Sequence, residues 1–278
     1  MLGDHLRRDA ERIGGGRKRA EINRLDIDGH AGEAVHDYPL LVGRVCVFPI
    51  FKNLWWRFKP GHHCMTRRKH MKIGIIGAGF VGRSVAQKAV QAGHEVMLSN
   101  SRGPQSLFSM KSALGCAVGT VDEAIAFADV IVLAVPLTAY GALPPEGFRG
   151  KVVIDAINYY HERDGHIAAL DQGDTTTSEM IAAHLPGARI VKAFNAIRMV
   201  DLDVAGRPEG AEDRLALPLA GDDADAKAVV AGLYHQFGFD SFDAGPLHEG
   251  WRFERDRPAY CNLKPRQALA DTLAATTR

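Results

Sequence analysis

The chain has 278 residues, of which 46% are apolar and 24% charged, with a formal net charge of +1; these are the proportions of a globular protein with one large domain or two small ones. The near-neutral balance excludes a general attraction for nucleic acid or an anionic membrane surface. The four scattered cysteines, Cys46, Cys64, Cys116 and Cys261, exclude a disulfide framework, and no apolar run is long enough to span a bilayer, so the expected location is the cytoplasm.

Residues 1–70 differ from the rest of the chain. They carry 14 Lys/Arg against 8 Asp/Glu, a Gly14-Gly15-Gly16 run, and one apolar stretch over 38–58 that Pro49 interrupts. No helical or alternating period runs through that stretch. The segment reads as a basic leader, disordered or outside the core, with the core opening at Met71. His62, His63, Cys64 and His70 fit no zinc spacing, and no metal is expected.

From Met71 the pattern alternates between strand and helix. An apolar strand over 72–77 leads through a glycine turn to a helix over 79–92. That helix carries Val81, Val85, Ala86, Ala89 and Val90 on one face, and Gly93 ends it. Strand two covers 95–99. Pro104 opens a helix that turns Leu107, Met110 and Leu114 inward and closes at Gly115. A short strand over 116–118 precedes Thr120-x-x-Glu123, a capping box in front of the next helix.

The runs 129–135 and 151–156 are apolar apart from Asp129, Lys151 and Asp155, and read as strands of a buried parallel sheet. Residues 157–176 form a long polar connection. Thr177 or Ser178 caps a helix to about Leu185, and strands are expected over 189–194 and 215–220. A helix over 223–237 and a strand over 239–243 close the series. The expected class is α/β, a Rossmann-type doubly wound parallel sheet forming a single main domain over 71–278, with an irregular N-terminal extension.

Gly77, Gly79 and Gly82 hold the G-x-G-x-x-G spacing between a strand and a helix, the context in which that spacing marks a dinucleotide site. Gly77 makes the turn, Gly79 lets backbone approach a pyrophosphate, and Gly82 lets the helix pack close to the strand. The amides of Phe80 and Val81, with Ala78 in the turn, face phosphate oxygens at the positive end of the helix. At the end of strand two a NAD site would carry an acid. This chain has Asn100, Ser101 and Arg102 instead. Ser101 can donate to a 2′-phosphate, Arg102 can pair with it and stack on adenine, and Asn100 can meet the ribose. NADP(H) is therefore the expected cofactor.

These residues, together with Gly93-His94-Glu95-Val96, 132–136, Gly221-Asp222-Asp223 with Ala226-Lys227, and Asp243-Ala244-Gly245-Pro246-Leu247, resemble the family of NADP oxidoreductases dependent on the deazaflavin coenzyme F420. The resemblance covers about 71–247. It implies that the glycine turn holds the pyrophosphate and Ser101-Arg102 the 2′-phosphate. It implies that Ala134, Val135 and Pro136 lie by the nicotinamide ribose, and that Phe194-Asn195 with Ala244-Gly245-Pro246 border the second-substrate pocket. Asn195 joins the cofactor-binding set on that ground.

The activity so implied is hydride transfer from NADPH to a deazaflavin or flavin-like acceptor, coenzyme F420 or a flavin. It needs no acid–base residue, because the cofactors carry the chemistry. Two stretches depart from the family pattern, 157–176 and the run after Leu247. Alternatives are reduction of a small carbonyl or imine, with His161 or Tyr160 as proton donor, and a non-catalytic NADP-binding sensor. Trp251 is read either as a ring-stacking or as a core residue. The expected partner is a small-molecule redox substrate, with a homodimer left open.

Overall fold

A computed structural model of the chain describes residues 70–278. The reading of 1–70 as a leader lies, apart from His70, outside the described residues. The first three strands are β1 (Lys72–Ile76), β2 (Glu95–Ser99) and β3 (Ala117–Gly119), and the next three are β4 (Val130–Leu133), β5 (Val152–Asp155) and β6 (Arg189–Lys192). With β7 (Ala216–Gly221) and β8 (Asp240–Asp243) they form one eight-stranded sheet in the order β3-β2-β1-β4-β5-β6-β7-β8. β1 to β6 run parallel, and the order reverses at β1, between β2 and β4. In such a sheet the crevice beyond the strands' carboxyl ends at the reversal is where ligands bind.

The connecting helices arise from local sequence. α1 (Phe80–Gln91) buries Val85, Ala86 and Ala89. Pro104 opens a 3-10 turn (Pro104–Leu107) before α2 (Phe108–Leu114), so the expected helix begins one turn later than its proline. α3 (Val121–Phe127) has the full capping box: Glu123 N donates to Thr120 Oγ1 at 3.1 Å and Thr120 N to Glu123 Oε2 at 2.8 Å. The polar connection holds two single-turn helices, α4 (His161–Asp164) and α5 (Ala168–Asp171).

The cap of α6 (Thr177–His184) is Thr176, not Thr177 or Ser178. Thr176 makes a second capping box with Glu179, which leaves the two hydroxyls after it free for a buried network. α7 (Met199–Val204) and α9 (Arg266–Ala275) carry no clear period in the sequence; α8 (Ala224–Gln236) is capped by Asp223. Ile73, Ile75, Val132 and Ile154 face one apolar layer with α1, α7 and α8, while Ile76, Ile131, Leu133 and Val153 face the other, under α3 and α6.

The sheet departs from an all-parallel one at β7, which pairs antiparallel to β6 with Val191 opposite Gly221 and Lys192 opposite Ala220. β8 runs parallel to β7. The carboxyl ends of β7 and β8 therefore lie at the edge opposite to those of β1 to β6. There Gly221 N donates to Gly245 O (3.1 Å), Leu247 N to Asp222 Oδ1 (2.9 Å), and Lys227 pairs with Asp243 at 2.8 Å. The two family-like motifs thus hold each other, and Ala244 packs against the cluster that holds Ala196 and Phe253, next to Asn195. Gly245, at φ +113°, turns the chain into a 3-10 stretch (Leu247–Phe253) that recrosses the sheet against β6, β7 and α6.

Buried His94 clamps one corner of this fold. Its Nδ1 accepts from Met71 N at 3.3 Å, and its Nε2 faces Gln236 Oε1 at 2.7 Å, which fixes a neutral ring with the proton on Nε2. Burial holds its pKa below the usual histidine value, the Gln236 hydrogen bond opposes that, and the His70 ring 6.2 Å away adds to it. A depressed folded-state pKa means that the unfolded chain takes up the proton first. The contribution of His94 is thus complete above the ordinary value of about 6.5 and is lost as pH falls through the folded value. Urea midpoints should fall from pH about 7.5 to about 5, and a His94→Gln chain should show a flatter profile over that window.

Candidate functional site

A cleft of ≈ 620 Å³ opens beyond the carboxyl ends of β1, β2 and β4. Gly77, Ala78 and Gly79 form its base, Asn100, Ser101 and Arg102 one end, and Ala134, Val135 and Pro136 the wall across the reversal. Motif and family pattern single out all nine of these. They miss Val121 and Asp122 of α3, and Ala139, Ala142, Leu143 and Pro144, which complete the lining. The last four lie in and just after a 3-10 turn (Leu137–Ala142) behind Pro136, where no helical or strand period exists to be read. Asp122 is the cleft's carboxylate; it sits on α3, away from the end of β2.

The three motif glycines stand in different surroundings. A Cβ on Gly77, at φ +111°, would lie 2.2 Å from Ala134 O, and one on Gly82 would lie 1.8 Å from Gly77 O. Both positions exclude side chains because backbone meets backbone. A Cβ on Gly79 would meet no described atom within 4 Å, since it would project into open space at the turn. Phe80, Val81 and Gly82 do not line the cleft. Phe80 is 79% exposed at the start of α1, with the Arg83 guanidinium 5.1 Å from its ring centre, and Val81 packs against the core.

At the end of β2, Asn100 organises the turn. Its Oδ1 accepts from Arg102 N at 3.0 Å and its Nδ2 donates to Ser106 Oγ at 2.9 Å. Ser101 and Arg102 are exposed, and the Arg102 guanidinium makes no ion pair among the described residues. An immobilised loop with an uncompensated guanidinium is what a phosphate dianion requires.

Past the carboxyl ends of β5 and β6 the two stretches that depart from the family pattern are joined to one another. The Tyr160 and Tyr260 hydroxyls are 2.6 Å apart, Arg255 holds Glu162 through two guanidinium nitrogens, and Thr177 Oγ1 donates to Glu254 Oε1 at 2.8 Å. The Arg255 hydrogen bond draws the Glu162 pKa down to about 2. Burial, then the bond to Tyr160, raises that of Tyr260. His161 is half-exposed, 3.5 Å from Glu162. Trp251 is buried, with Arg252, Arg257 and Arg278 over its ring, which settles it as a core residue.

Asn195 lies here, outside the cleft lining. Its Nδ2 donates to Phe253 O at 3.0 Å and to Asn158 Oδ1 at 3.3 Å, and its buried Oδ1 has no partner among the described residues. Beneath it, fully buried Lys192 donates to Asp155 Oδ2 (3.1 Å), Thr177 Oγ1 (2.8 Å) and Ile157 O (2.5 Å). A lysine directly after the apolar pair Ile190-Val191 of β6 is the one sequence signal of this network.

The family model for coenzyme F420-dependent NADP oxidoreductases matches residues 72–159, a span that holds the glycine turn, the β2 loop and the Ala134-Val135-Pro136 wall. That part of the chain is similar to the family. It is 29% identical over 216 residues to the F420-dependent NADP reductase of Methanothermobacter thermautotrophicus, covering 72% of this chain and 91% of that one. It is 31% identical over 179 residues to the rat metalloreductase STEAP3, covering 63% of this chain, and it spans only 34% of that relative's length. The crystal structure of a hypothetical protein from Sinorhizobium meliloti superposes with a TM-score of 0.61 at 28% identity, over 72% of this chain and 97% of that one. Among the described residues no group of side chains could hold a metal ion, and no helix is long and apolar enough to cross a membrane.

Proposed function

We propose that the chain is an NADP(H)-dependent oxidoreductase that binds the cofactor in the ≈ 620 Å³ cleft and transfers a hydride between NADPH and a deazaflavin or flavin-like acceptor. The observation that carries the reading is the meeting, in one cleft, of the glycine turn with a β2 end that has Ser101 and Arg102 in place of an acid. The residues fit the cofactor. Open space lies where a side chain on Gly79 would project, and Arg102 offers an unpaired charge. NADPH, when bound, supplies the hydride. The chain's own contribution is to place the pyrophosphate on the amides that open α1, to pair the 2′-phosphate with Arg102, and to keep water from the apolar wall at Ala134, Val135 and Pro136.

The test is a titration of the wild-type chain with NADPH and NADH, with an Arg102→Ala chain beside it. NADPH should bind more tightly, and the substitution should narrow the gap by about tenfold or more, the usual worth of a charge-assisted hydrogen bond or two. Equal affinities in the wild-type chain would overturn the cofactor assignment. An absorbance screen of NADPH oxidation against coenzyme F420, flavins, ferric chelates and small carbonyls then identifies the acceptor. Reduction of a small carbonyl or imine is the second reading. It rests on the Tyr160–Tyr260 hydroxyl pair beyond the carboxyl ends of β5 and β6, a source of the proton that such a reduction needs and that hydride passage alone does not.

A further inference from the structure

The two stretches that depart from the family pattern wall a second cavity of ≈ 200 Å³, which shares no lining residue with the cofactor cleft. At about 30 Å³ per water it has room for roughly six waters, or a ligand of that bulk. One side is the apolar flank of Leu170 with Tyr159, and the other is the run from Glu254 to Arg257. Two groups of opposite charge on that run keep an open face. Glu254 Oε1 accepts from Thr177, through N at 3.2 Å and Oγ1 at 2.8 Å, and lies 4.0 Å from Lys192 Nζ, which is itself paired with Asp155, while Oε2 makes no hydrogen bond among the described residues. Arg257 is held by a bond to Thr277 O at 3.2 Å and by the Trp251 ring, and has no carboxylate partner among the described residues.

Neighbouring charges are compensated. Arg255 is paired with Glu162, and Asp171 accepts from Tyr159 and faces His166. Between Glu254 and Arg257, Asp256 holds φ +66°, a left-handed backbone that a non-glycine residue adopts at a cost. That turn lets a carboxylate and a guanidinium three residues apart line one cavity. We infer that this cavity binds a small zwitterion of the amino-acid class, its carboxylate on Arg257, its ammonium on Glu254 Oε2, and its side chain against Leu170.

The full-length chain is titrated calorimetrically with L-norvaline, pentanoate and pentylamine, which carry both charges, the carboxylate alone and the ammonium alone. L-Norvaline should bind saturably and at least about tenfold more tightly than either single-charge probe, since each charge-assisted contact is worth about that factor. Arg257→Gln should remove the preference, and its unchanged NADPH affinity would show that the variant is folded. No saturable binding of L-norvaline, equal binding of pentanoate, or indifference to Arg257→Gln would each overturn the assignment. The titration involves no turnover, so its failure leaves the cofactor reading standing, and loss of the NADPH preference leaves this site standing.

Discussion

A Lys192→Met chain should be less stable than the wild type by about 3–5 kcal/mol, the cost of stripping one partner from a buried ion pair. Lys192 and Asp155 are both 0% exposed, and the ammonium is 3.1 Å from the carboxylate. Without it, Asp155 keeps only the Ser178 hydroxyl at 2.5 Å and the Ile157 amide at 2.9 Å, too little to hold a buried negative charge. Ile157 O and Thr177 Oγ1 lose a donor as well. The cost should therefore reflect the orphaned charge, not the lost packing, since Met is close to Lys in length. A Lys192→Met, Asp155→Leu double variant removes both charges and should regain most of the stability. Urea unfolding of the three chains decides it. A single variant within about 1 kcal/mol of the wild type, the worth of a surface pair, would show that the network does not hold β5, β6 and α6 together.

The second large effect separates two glycines of one motif. Gly82→Val should destabilise the chain by roughly 3 kcal/mol or more, because its Cβ would fall 1.8 Å from Gly77 O and neither backbone can yield without parting α1 from β1. Gly79→Ala should leave thermal unfolding of the cofactor-free chain almost unchanged, since its methyl meets no described atom within 4 Å. It should instead weaken NADPH by about tenfold or more, the loss expected when backbone amides can no longer reach a phosphate. Thermal unfolding with and without NADPH reads both outcomes. A Gly79→Ala chain that binds NADPH like the wild type would remove the pyrophosphate from this turn.

The half of the fold that carries the cleft is legible in the sequence because local chemistry decides it. The apolar runs at β1, β4 and β5, the Thr120–Glu123 box and the Asp223 cap each specify an element within a few residues. The cleft's nine foreseen residues come directly from strand ends and a glycine spacing. The region beyond the carboxyl ends of β5 and β6 is not legible, for a physical reason. Tyr160 meets Tyr260 across 100 residues, Asn195 meets Phe253 across 58, and Thr177 meets Glu254 across 77. None of these partners has a local signal. The family pattern puts Asn195 at the cofactor, but it sits under Phe253 because the chain recrosses the sheet, a turn that no periodicity announces. The cap of α6 is displaced by one residue because Thr176, Thr177 and Ser178 can all cap, and only the buried lysine claims the second hydroxyl.

The reversal at β7 also divides the chain's inheritance. Everything that lines the cleft proposed for the cofactor is laid down by Pro144, on the frame of β1 to β4. The return stretch from Leu247 onward is a separate strap, thrown back over a finished frame and tied at Asn195, Thr177 and Tyr160. The strap can therefore vary without disturbing the frame that carries the cleft.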